Sequence, residues 1–493
     1  MEQRTVHYKD FGAVGDGYTD DMAAIIKAHE YANSVGAEVK ADEGATYYIG
    51  ASEEYAVIKT SVDWTGATFI IDDSKIGLGD KAKDTPIFVI EPSIEPLDLS
   101  ISTVSKGAAR IDVKPGVPCL IYIEDGKMRR FKRFGPNANS GEIQREVILV
   151  DSEGNIDPKA PPIFDYPDIT TSIFIPTNEE PLTVKGGDFI TVANVTFPKR
   201  WVAFERGIRI KRSNTTVTGI KHTVEGDNKF RCAYHGFIVA ELSNNVLIEN
   251  CVFTAHLRTY FTNASGEQVL IGSYETGAKD CNSITWRGCT QTNFFNSDGS
   301  INQAGMMGTN RLKNVSYIDN FVGSFDAHTG LHNLYMKGCT IKGMGIQGSG
   351  LAVLEDVHMY KVYAMHLKCD YGSGWDGDFV FKNVTLEDPE GGERYHLFRT
   401  QWVNHDFGYK VTMPRTVTIE NLKLPEGCYI TYLRKVFDNH ADVSGEVLSD
   451  GTKNENPVTP TEKITVIYTD EKTDFRLNEG ELLKNTSLIF EKK

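Results

Sequence analysis

Alternating apolar and polar residues, interrupted by short polar turns, recur through the middle of the chain. The pattern is clearest at residues 244–253 (NNVLIENCVF), 281–290 (CNSITWRGCT), 312–321 (LKNVSYIDNF) and 332–341 (HNLYMKGCTI). In each segment an apolar–variable–apolar run is followed by a polar turn and then by Cys or Phe. A period of two is typical of strands with one buried face, so the pattern predicts a repeated unit of strand and corner.

Nine copies of this unit can be aligned on the residue that follows the turn. They fall at Val195, Ile220, Cys251, Cys289, Phe321, Cys339, Val357, Val384 and Leu422. The preceding residue is always Asn, Gly or Asp, the types that tolerate the left-handed backbone of a tight corner. These corner residues are Asn194, Gly219, Asn250, Gly288, Asn320, Gly338, Asp356, Asn383 and Asn421. So many copies predict a parallel solenoid rather than a β-sandwich.

Three of the eight cysteines, Cys251, Cys289 and Cys339, occupy the same position of the repeat. No CxxC spacing is present, so neither a zinc site nor a disulfide framework is indicated. The pattern predicts a ladder of buried thiols, because free cysteine is among the most buried residue types.

The N-terminal segment predicts a different element. Residues 10–21 read DFGAVGDGYTDD, followed by apolar residues at helical spacing and then by the short strand GATYYI. Thr19 or Asp20 is predicted to cap the helix, and the Asp and Gly residues before it are typical of turns.

Residues 10–21, the helix and the strand together resemble the opening of the pectate-lyase-like superfamily. The resemblance implies a right-handed parallel β-helix whose N-terminal end is covered by a capping helix. It also implies activity on glycans, since the superfamily includes polysaccharide lyases, glycoside hydrolases and phage tailspike depolymerases. The paired Asp and Gly-His-Gly motifs of its polygalacturonases are absent here, so that activity is not expected.

Changes of pattern along the chain predict four regions. Residues 1–86 form the cap and first coils, 87–185 a β-rich insertion, 186–440 the main β-helix, and 441–493 a β-strand tail after a polar stretch. A basic cluster falls on one hairpin of the insertion, at Lys127, Arg129, Arg130, Lys132 and Arg133. It could guide an anionic substrate, or form a solvated hairpin face.

Composition restricts the partners. The 493 residues carry a formal net charge of −15, which argues against nucleic-acid binding. No apolar run is long enough to cross a bilayer, and no signal peptide is recognised. We therefore expect a secreted protein whose leader has been removed, or a protein of the virion surface. A polysaccharide is the expected partner, with no nucleic acid and no membrane, and a homo-oligomer is compatible with the sequence.

Strand alternation narrows the candidate site. Counting from the corner before Phe321 places Asp326 and His328 on the outer face, and counting from Cys251 places His256, Arg258 and Tyr260 there. Asp326 and His328 then share one groove with His256 and Arg258, two strands apart, which is roughly 10 Å.

Two chemistries are open at this groove. Hydrolysis needs two carboxyl groups, which Asp326 could form with Glu275 or Asp319. A lyase needs a base and a cation that neutralises the uronate carboxylate, roles open to His328 or Tyr260 and to Arg258 or Arg311. Further substrate-binding candidates are Tyr274, Asn310, Trp375 and Trp402, the tryptophans either stacking on sugar rings or packing loops.

These observations favour a polysaccharide-cleaving enzyme, with glycoside hydrolysis slightly ahead of β-elimination because carboxylates are available near the groove. A phage tailspike depolymerase and a non-catalytic glycan-binding protein are the alternatives. No metal site and no cofactor are predicted; calcium stays an option, although Asp326 and His328 alone fall short of a ligand set.

Overall fold

One long parallel sheet of 14 described strands, which we call face A, forms one side of the solenoid. A computed structural model describes residues 5–134, 139–199, 202–228, 230–254, 259–262, 266–293, 306–389, 391–400, 405–435, 458–469, 473–477, 483 and 485–493. Each strand of face A pairs in parallel with the next one along the chain. Its strands are Thr5–His7, Glu38–Lys40, Val62–Asp63, Leu182–Lys185, Thr215–Thr218, Asn244–Glu249, Asn282–Arg287, Leu312–Ile318, Leu331–Lys337, Gly348–Glu355, Trp375–Lys382, Thr416–Glu420, Lys463–Tyr468 and Ser487–Lys492.

Two further parallel ladders complete each coil. Face B follows the corner at the end of face A and contains Asp16–Asp20, Thr46–Ile49, Thr68–Asp72, Asp188–Val192, Lys221–Glu225, Val252–Phe253, Thr290–Gln291, His358–Met359 and Thr385–Leu386. Face C contains Ala56–Ile58, Phe88–Ile90, Ala203–Phe204, Ile208–Ile210, Ala233–Glu241, Tyr274–Lys279, Met306–Asn310, Tyr363–Leu367, Arg394–Thr400, Tyr429–Lys435 and Asp474–Phe475. Strands Phe321–Asp326 and Thr340–Ile346 run through both faces.

The predicted alternation on face A is confirmed. The apolar pairs point into one continuous core, at Val246 and Ile248, Ile284 and Trp286, Val315 and Tyr317, Leu334 and Met336, Phe379 and Phe381, and Val417 and Ile419. Each coil buries its apolar residues only against its neighbours, so stability depends on stacking of the coils.

Most of the predicted corners are also confirmed. The left-handed backbone is found at Gly219, Asn250, Gly288, Gly338, Asp356, Asn383 and Asn421. The alignment was wrong at two copies. Val195 is exposed (56%) rather than buried, and the corner before Phe321 is at Asp319 (φ 52°), one residue earlier than predicted.

Asn320 therefore takes the buried position that Cys251, Cys289 and Cys339 hold in other coils. Thr290 pairs with Phe321, and Phe321 with Thr340, which fixes this register. The buried amide of Asn320 is satisfied, because its Oδ1 accepts from the Cys289 N–H (2.9 Å) and its Nδ2 donates to the Trp286 carbonyl (3.0 Å). The three cysteines are buried free thiols, as predicted.

The N-terminal cap is the helix Met22–Val35, which buries Met22, Ile25, Ala28, His29 and Ala32. Asp21 holds the N-cap position but makes no side-chain capping bond; Asp20, one of the two predicted caps, accepts the Met22 N–H at Oδ1 (3.0 Å). The Asp21 carboxylate accepts from the N–H groups of Val14 and Gly15, so the acidic residues of this motif stabilise turns. The remaining short helices are 3₁₀ turns at Tyr8–Phe11, Lys81–Asp84 and Cys369–Tyr371.

The chain leaves the solenoid after Phe88–Ile90 and returns at Leu182–Lys185. Between them lies an antiparallel sheet, which we call the insertion, of strands Cys119–Arg130, Glu142–Val150 and Thr171–Pro176, with its own small core. Buried ion pairs fasten it to the solenoid: Lys313 Nζ lies 2.6 Å from Glu146, and Arg133 Nε lies 2.7 Å from Asp370. Two short pairings complete the described strands, Thr259–Thr262 with Gln268–Ile271 and Val411–Thr412 with Val458–Thr459.

Candidate active site

A cleft of about 680 Å³ lies on the outer side of face C, where the insertion reaches over the solenoid. We call it the catalytic cleft. Its charged and polar lining consists of Arg133, Glu205, Arg209, His235, Tyr274, Lys279, Asn310, Asp326 and His328.

The floor of the catalytic cleft is made by glycines. Gly277, Gly308 and Asp326 are neighbours in register on three consecutive strands. Of these three positions, only Asp326 carries a side chain into the cleft. A Cβ atom on Gly308 would lie 2.7 Å from the ring of Tyr274, so glycine is what lets this ring cross the floor. The result is a flat surface that a sugar ring can approach.

Asp326 ends strand Phe321–Asp326 and is held by Lys368 and His328. Its Oδ1 is 2.6 Å from Lys368 Nζ, and its Oδ2 is 2.8 Å from His328 Nε2. Burial alone would raise the pKa of Asp326, but the charge of Lys368 and the hydrogen bonds from Lys368 and His328 outweigh burial and hold this pKa well below its usual value. Asp326 is therefore a permanent carboxylate at neutral pH.

His328 is fixed by its backbone as well as by its ring. Its N–H donates to Asn310 Oδ1 (3.0 Å), and its carbonyl accepts from the side-chain amide of Gln347. The ring stacks near Tyr371, with centroids 5.7 Å apart. Because Nε2 faces Asp326, Nδ1 is the ring nitrogen of His328 that can exchange a proton with a substrate.

Tyr274 brings a phenol to the same carboxylate. Its hydroxyl donates to Asp326 Oδ2 over 3.5 Å. Burial and the negative charge of Asp326 raise the pKa of Tyr274 well above its usual value, so the phenol keeps its proton.

Arg133 enters the cleft from the insertion. Its Nε donates to Asp370 and its guanidinium lies 5.0 Å from the centre of the Tyr371 ring. Of the basic cluster, then, one member faces the cleft. Two others are used differently: Arg130 lies between the rings of Phe164 and Tyr409, and Lys127 forms an exposed pair with Asp168.

A second His–carboxylate pair lies at the far end of the cleft. His235 Nδ1 is 3.0 Å from Glu205 Oε1, and Arg209 is 2.7 Å from Glu205 Oε2. The hydrogen bond from His235 and the charge of Arg209 lower the pKa of Glu205 to about 2, although burial opposes this. The strand that carries His235 lies three strands from that of Asp326, which is roughly 14 Å.

The structure does not bring all predicted residues to this cleft. Glu275 is fully buried and lies 3.0 Å from His222 in the interior, so it does not face Asp326. Asp319 is an exposed corner residue. Arg311 is buried in a bidentate pair with Asp280 and also reaches Glu142 of the insertion, so it serves attachment rather than substrate binding.

The predicted aromatic contacts fare differently. Trp375 is fully buried and donates to the Gly350 carbonyl (2.9 Å), so it cannot stack on a sugar. Tyr260 is half-buried in a hairpin, 6.0 Å from the ring of Phe230. His256, Arg258 and Trp402 lie outside the described residues. His256 and Asp326 were predicted to share a groove because each lies five residues after Cys251 or Phe321, the residues aligned after the corner. That alignment was wrong by one residue at Phe321.

Several groups in the site were not predicted from the sequence. Lys368 and Tyr371 lie in an irregular segment after Tyr363–Leu367, and Glu205 and His235 belong to coils whose repeat is hard to recognise. The only advance signal was the basic cluster that contains Arg133. Within the described ranges, no group of three or more His, Cys, Asp or Glu side chains could hold a metal ion. No helix in the same ranges is long and apolar enough to cross a membrane.

Comparison with solved structures decides the fold. The tailspike gp61 of Pseudomonas phage phi297 matches with a TM-score of 0.51 and 12% sequence identity, over 99% of this chain and 84% of that chain. The chain has the right-handed parallel β-helix fold. This β-helix protein matches no family model and no curated protein sequence.

Two other solved β-helix structures are less similar. The Streptococcus pneumoniae surface adhesin PfbA has a TM-score of 0.43 and 14% identity, over 88% of this chain and 92% of that chain. The gp54 tailspike of Acinetobacter baumannii bacteriophage AP22, solved with a capsular saccharide, has a TM-score of 0.43 and 9% identity, over 99% of this chain and 79% of that chain.

Proposed function

We propose that this protein is a polysaccharide lyase, which cleaves a uronate-containing glycan by β-elimination in the catalytic cleft. One observation supports this reaction over hydrolysis. Both carboxylates that line the cleft among the described residues, Asp326 and Glu205, have lowered pKa values. Neither is suited to donate the proton that the acid of a glycosidase must supply. Tyr274 keeps its proton and lies beside Asp326.

In this proposal His328 is the base. Asp326 fixes its Nε2, so Nδ1 takes the proton from the carbon α to the substrate carboxylate. The electron pair of that C–H bond forms the new carbon–carbon double bond, and the bond from the β-carbon to the glycosidic oxygen breaks. Tyr274 donates its proton to the departing oxygen. His328 then releases the α-proton to water and Tyr274 takes a proton from water, so the enzyme returns to its starting state.

Arg133 supplies the positive charge that this step needs. Removal of the α-proton builds negative charge on the uronate carboxylate, and a fixed guanidinium stabilises that charge. Asp370 accepts a hydrogen bond from Arg133 Nε, and the Tyr371 ring lies against the face of the guanidinium. No described residue is bonded to the two terminal nitrogens of Arg133.

Hydrolysis is the second candidate, because Asp326 is a buried, ionised carboxylate beside an open floor and could activate a water molecule. The strands of Asp326 and His235 are roughly 14 Å apart. Glu205 is paired with His235 and Arg209, and its lowered pKa makes it a poor proton donor to complete the carboxyl pair of a glycosidase.

The test is incubation with galacturonan, alginate and hyaluronan, and with uncharged polysaccharides of similar length. Reducing ends and the ultraviolet absorbance of unsaturated uronate are followed together. A lyase raises both signals in parallel on at least one charged polymer. New reducing ends without the absorbance would establish hydrolysis instead.

Arg133→Gln is expected to lower kcat/KM on the cleaved uronate polymer by about 10- to 100-fold, because it removes the charge that stabilises the developing carboxylate dianion. The assay is the same absorbance measurement. The control is Lys127→Gln, which removes one exposed charge from the same basic cluster and leaves the cleft intact. Equal losses in both variants would mean that Arg133 acts only through general attraction of an anion.

A further inference from the structure

A second cleft, of about 750 Å³, lies on the other side of the attachment between insertion and solenoid. We call it the insertion cleft. It is bounded by residues 106–107, 130–131 and 161–165 of the insertion, by residues 348–351 and 376–378 of face A, and by residues 409–415. We propose that the insertion cleft is a second saccharide site, which holds an uncharged oligosaccharide segment of a glycan.

The floor of the insertion cleft is bare backbone. Gly350 and Gly377 pair with each other on neighbouring strands of face A. A Cβ atom on Gly377 would lie 2.0 Å from the Gly350 carbonyl oxygen, and one on Gly350 would lie 2.3 Å from Asn333 Oδ1. Side chains are therefore excluded at both positions, and a flat ring can lie against the strands.

Aromatic and apolar surface forms the walls. Phe164 and Tyr409 are half-buried, and Arg130 is fixed between them, 4.6 and 4.7 Å from their ring centres. Leu351 is an exposed apolar side chain at the edge. Apolar walls with a few fixed polar groups are typical of small-ligand sites, and the C–H faces of sugars pack well on such surfaces.

Three neutral pairs of polar groups line the insertion cleft. Lys106 lies 3.1 Å from Asp376, and Arg415 lies 2.7 Å from Asp378. Ser349 Oγ lies 2.9 Å from His332 Nδ1, and burial together with the nearby charge of Lys313 lowers the pKa of His332 to about 4, so this pair is uncharged at neutral pH. Such pairs offer donors and acceptors side by side, which suits hydroxyl groups. Of the other cations in the lining, Arg130 is fixed between two rings and Lys410 is exposed, in contrast to Arg133, whose terminal nitrogens are open in the catalytic cleft.

The two clefts share one narrow ridge. On the insertion, Phe131 lines the insertion cleft and Arg133 lines the catalytic cleft. On the solenoid, Gly330 lines the insertion cleft and His328 lines the catalytic cleft. A Cβ atom on Gly330 would lie 2.9 Å from the Phe131 ring. Residues two apart are separated by roughly 7 Å, so a glycan held in the insertion cleft stays close to the catalytic cleft. Such tethering raises the local concentration of a polymer without affecting short substrates.

Binding can be tested without turnover. Uncharged tetrasaccharides of glucose, galactose and mannose are titrated into the full chain by calorimetry. We expect at least one to bind with a Kd of about 1 mM or tighter. Ser349→Tyr, which fills the cleft, and Asp376→Ala, which removes an exposed acceptor, should each weaken that binding by about tenfold or more. Lys337→Ala, which alters an exposed ion pair on face A away from the cleft, should not.

Asp326→Asn separates this site from the proposed lyase reaction. It should leave tetrasaccharide binding unchanged, even if it abolishes cleavage or if no cleavage exists. Failure of all three probes to bind would overturn the second site, as would binding that survives both Ser349→Tyr and Asp376→Ala. If Ser349→Tyr lowers the melting temperature sharply, Asp376→Ala alone decides, because its side chain is exposed.

Discussion

Asp326→Asn is expected to lower kcat by about 10²–10⁴-fold, because the variant removes the negative charge that orients His328 and stabilises its protonated form. Asn keeps the size of the side chain, so the glycine floor and Tyr274 should keep their positions. The measurement is the initial rate of product formation on the polymer that the wild-type protein cleaves.

The same substitution leaves the buried Lys368 ammonium without its partner. Removing one member of a buried pair typically costs about 3–5 kcal/mol, so a lower melting temperature is also expected. Asp326→Asn combined with Lys368→Met should recover the melting temperature but not the rate. If the double variant recovers both, the loss in the single variant came from stability, and Asp326 has no part in the reaction.

Asp319→Asn is the matched control. It makes the same chemical change in the same coil, but at an exposed corner whose left-handed backbone Asn tolerates well. Its rate should stay within about twofold of wild type. A loss comparable to that of Asp326→Asn would return Asp319 to the list of catalytic candidates.

Tyr274→Phe is expected to lower kcat by about 10²–10⁴-fold with little change in KM, since it removes the proton donor for the leaving oxygen and keeps the ring that crosses Gly308. Rates and melting curves are measured together. Because only a weak 3.5 Å hydrogen bond to Asp326 is lost, the melting temperature should barely change.

Tyr335→Phe removes a hydroxyl that is hydrogen-bonded to Glu355 on face A and should leave the rate unchanged. Should Tyr274→Phe keep more than about a tenth of the wild-type rate while Tyr335→Phe keeps all of it, another group must protonate the leaving oxygen.

The fold could be predicted from the sequence because the repeat and the N-terminal motif are local signals. Alternation specifies which side of each strand is buried, and the left-handed corners require Gly, Asn or Asp. The one-residue error at Phe321 arose where two such residues, Asp319 and Asn320, stand side by side and either can form the corner. The chain then bends at Gly323, from face B to face C, so Phe325 and Ala327 are buried and Asp326 faces outward in spite of the error.

The candidate site was predicted only in part, because its other groups are brought together by long-range contacts. Arg133 and Asp370 are 237 positions apart, and the periodicity of one region carries no information about the other. Glu275 was expected to pair with Asp326 at the groove. It lies instead in strand Tyr274–Lys279, whose pairing shifts register between His235 and Ile238, and its carboxylate turns inward to His222. Asp326 and His328 were recognised from strand alternation. Tyr274 and Asn310 were chosen as loop residues beside the repeat, and the structure places them at strand ends.

The most direct test of the proposed reaction is the mass of the product that carries the new non-reducing end. Elimination leaves this product one water lighter than the hydrolysis product of the same length, because the double bond forms where the hydrolysis product keeps a hydroxyl on the β-carbon and a hydrogen on the α-carbon. We predict the lighter mass in wild type and in Lys127→Gln, and its loss in Asp326→Asn and Tyr274→Phe. A product of full hydrolytic mass from the wild-type protein would contradict the proposal and identify the protein as a glycoside hydrolase.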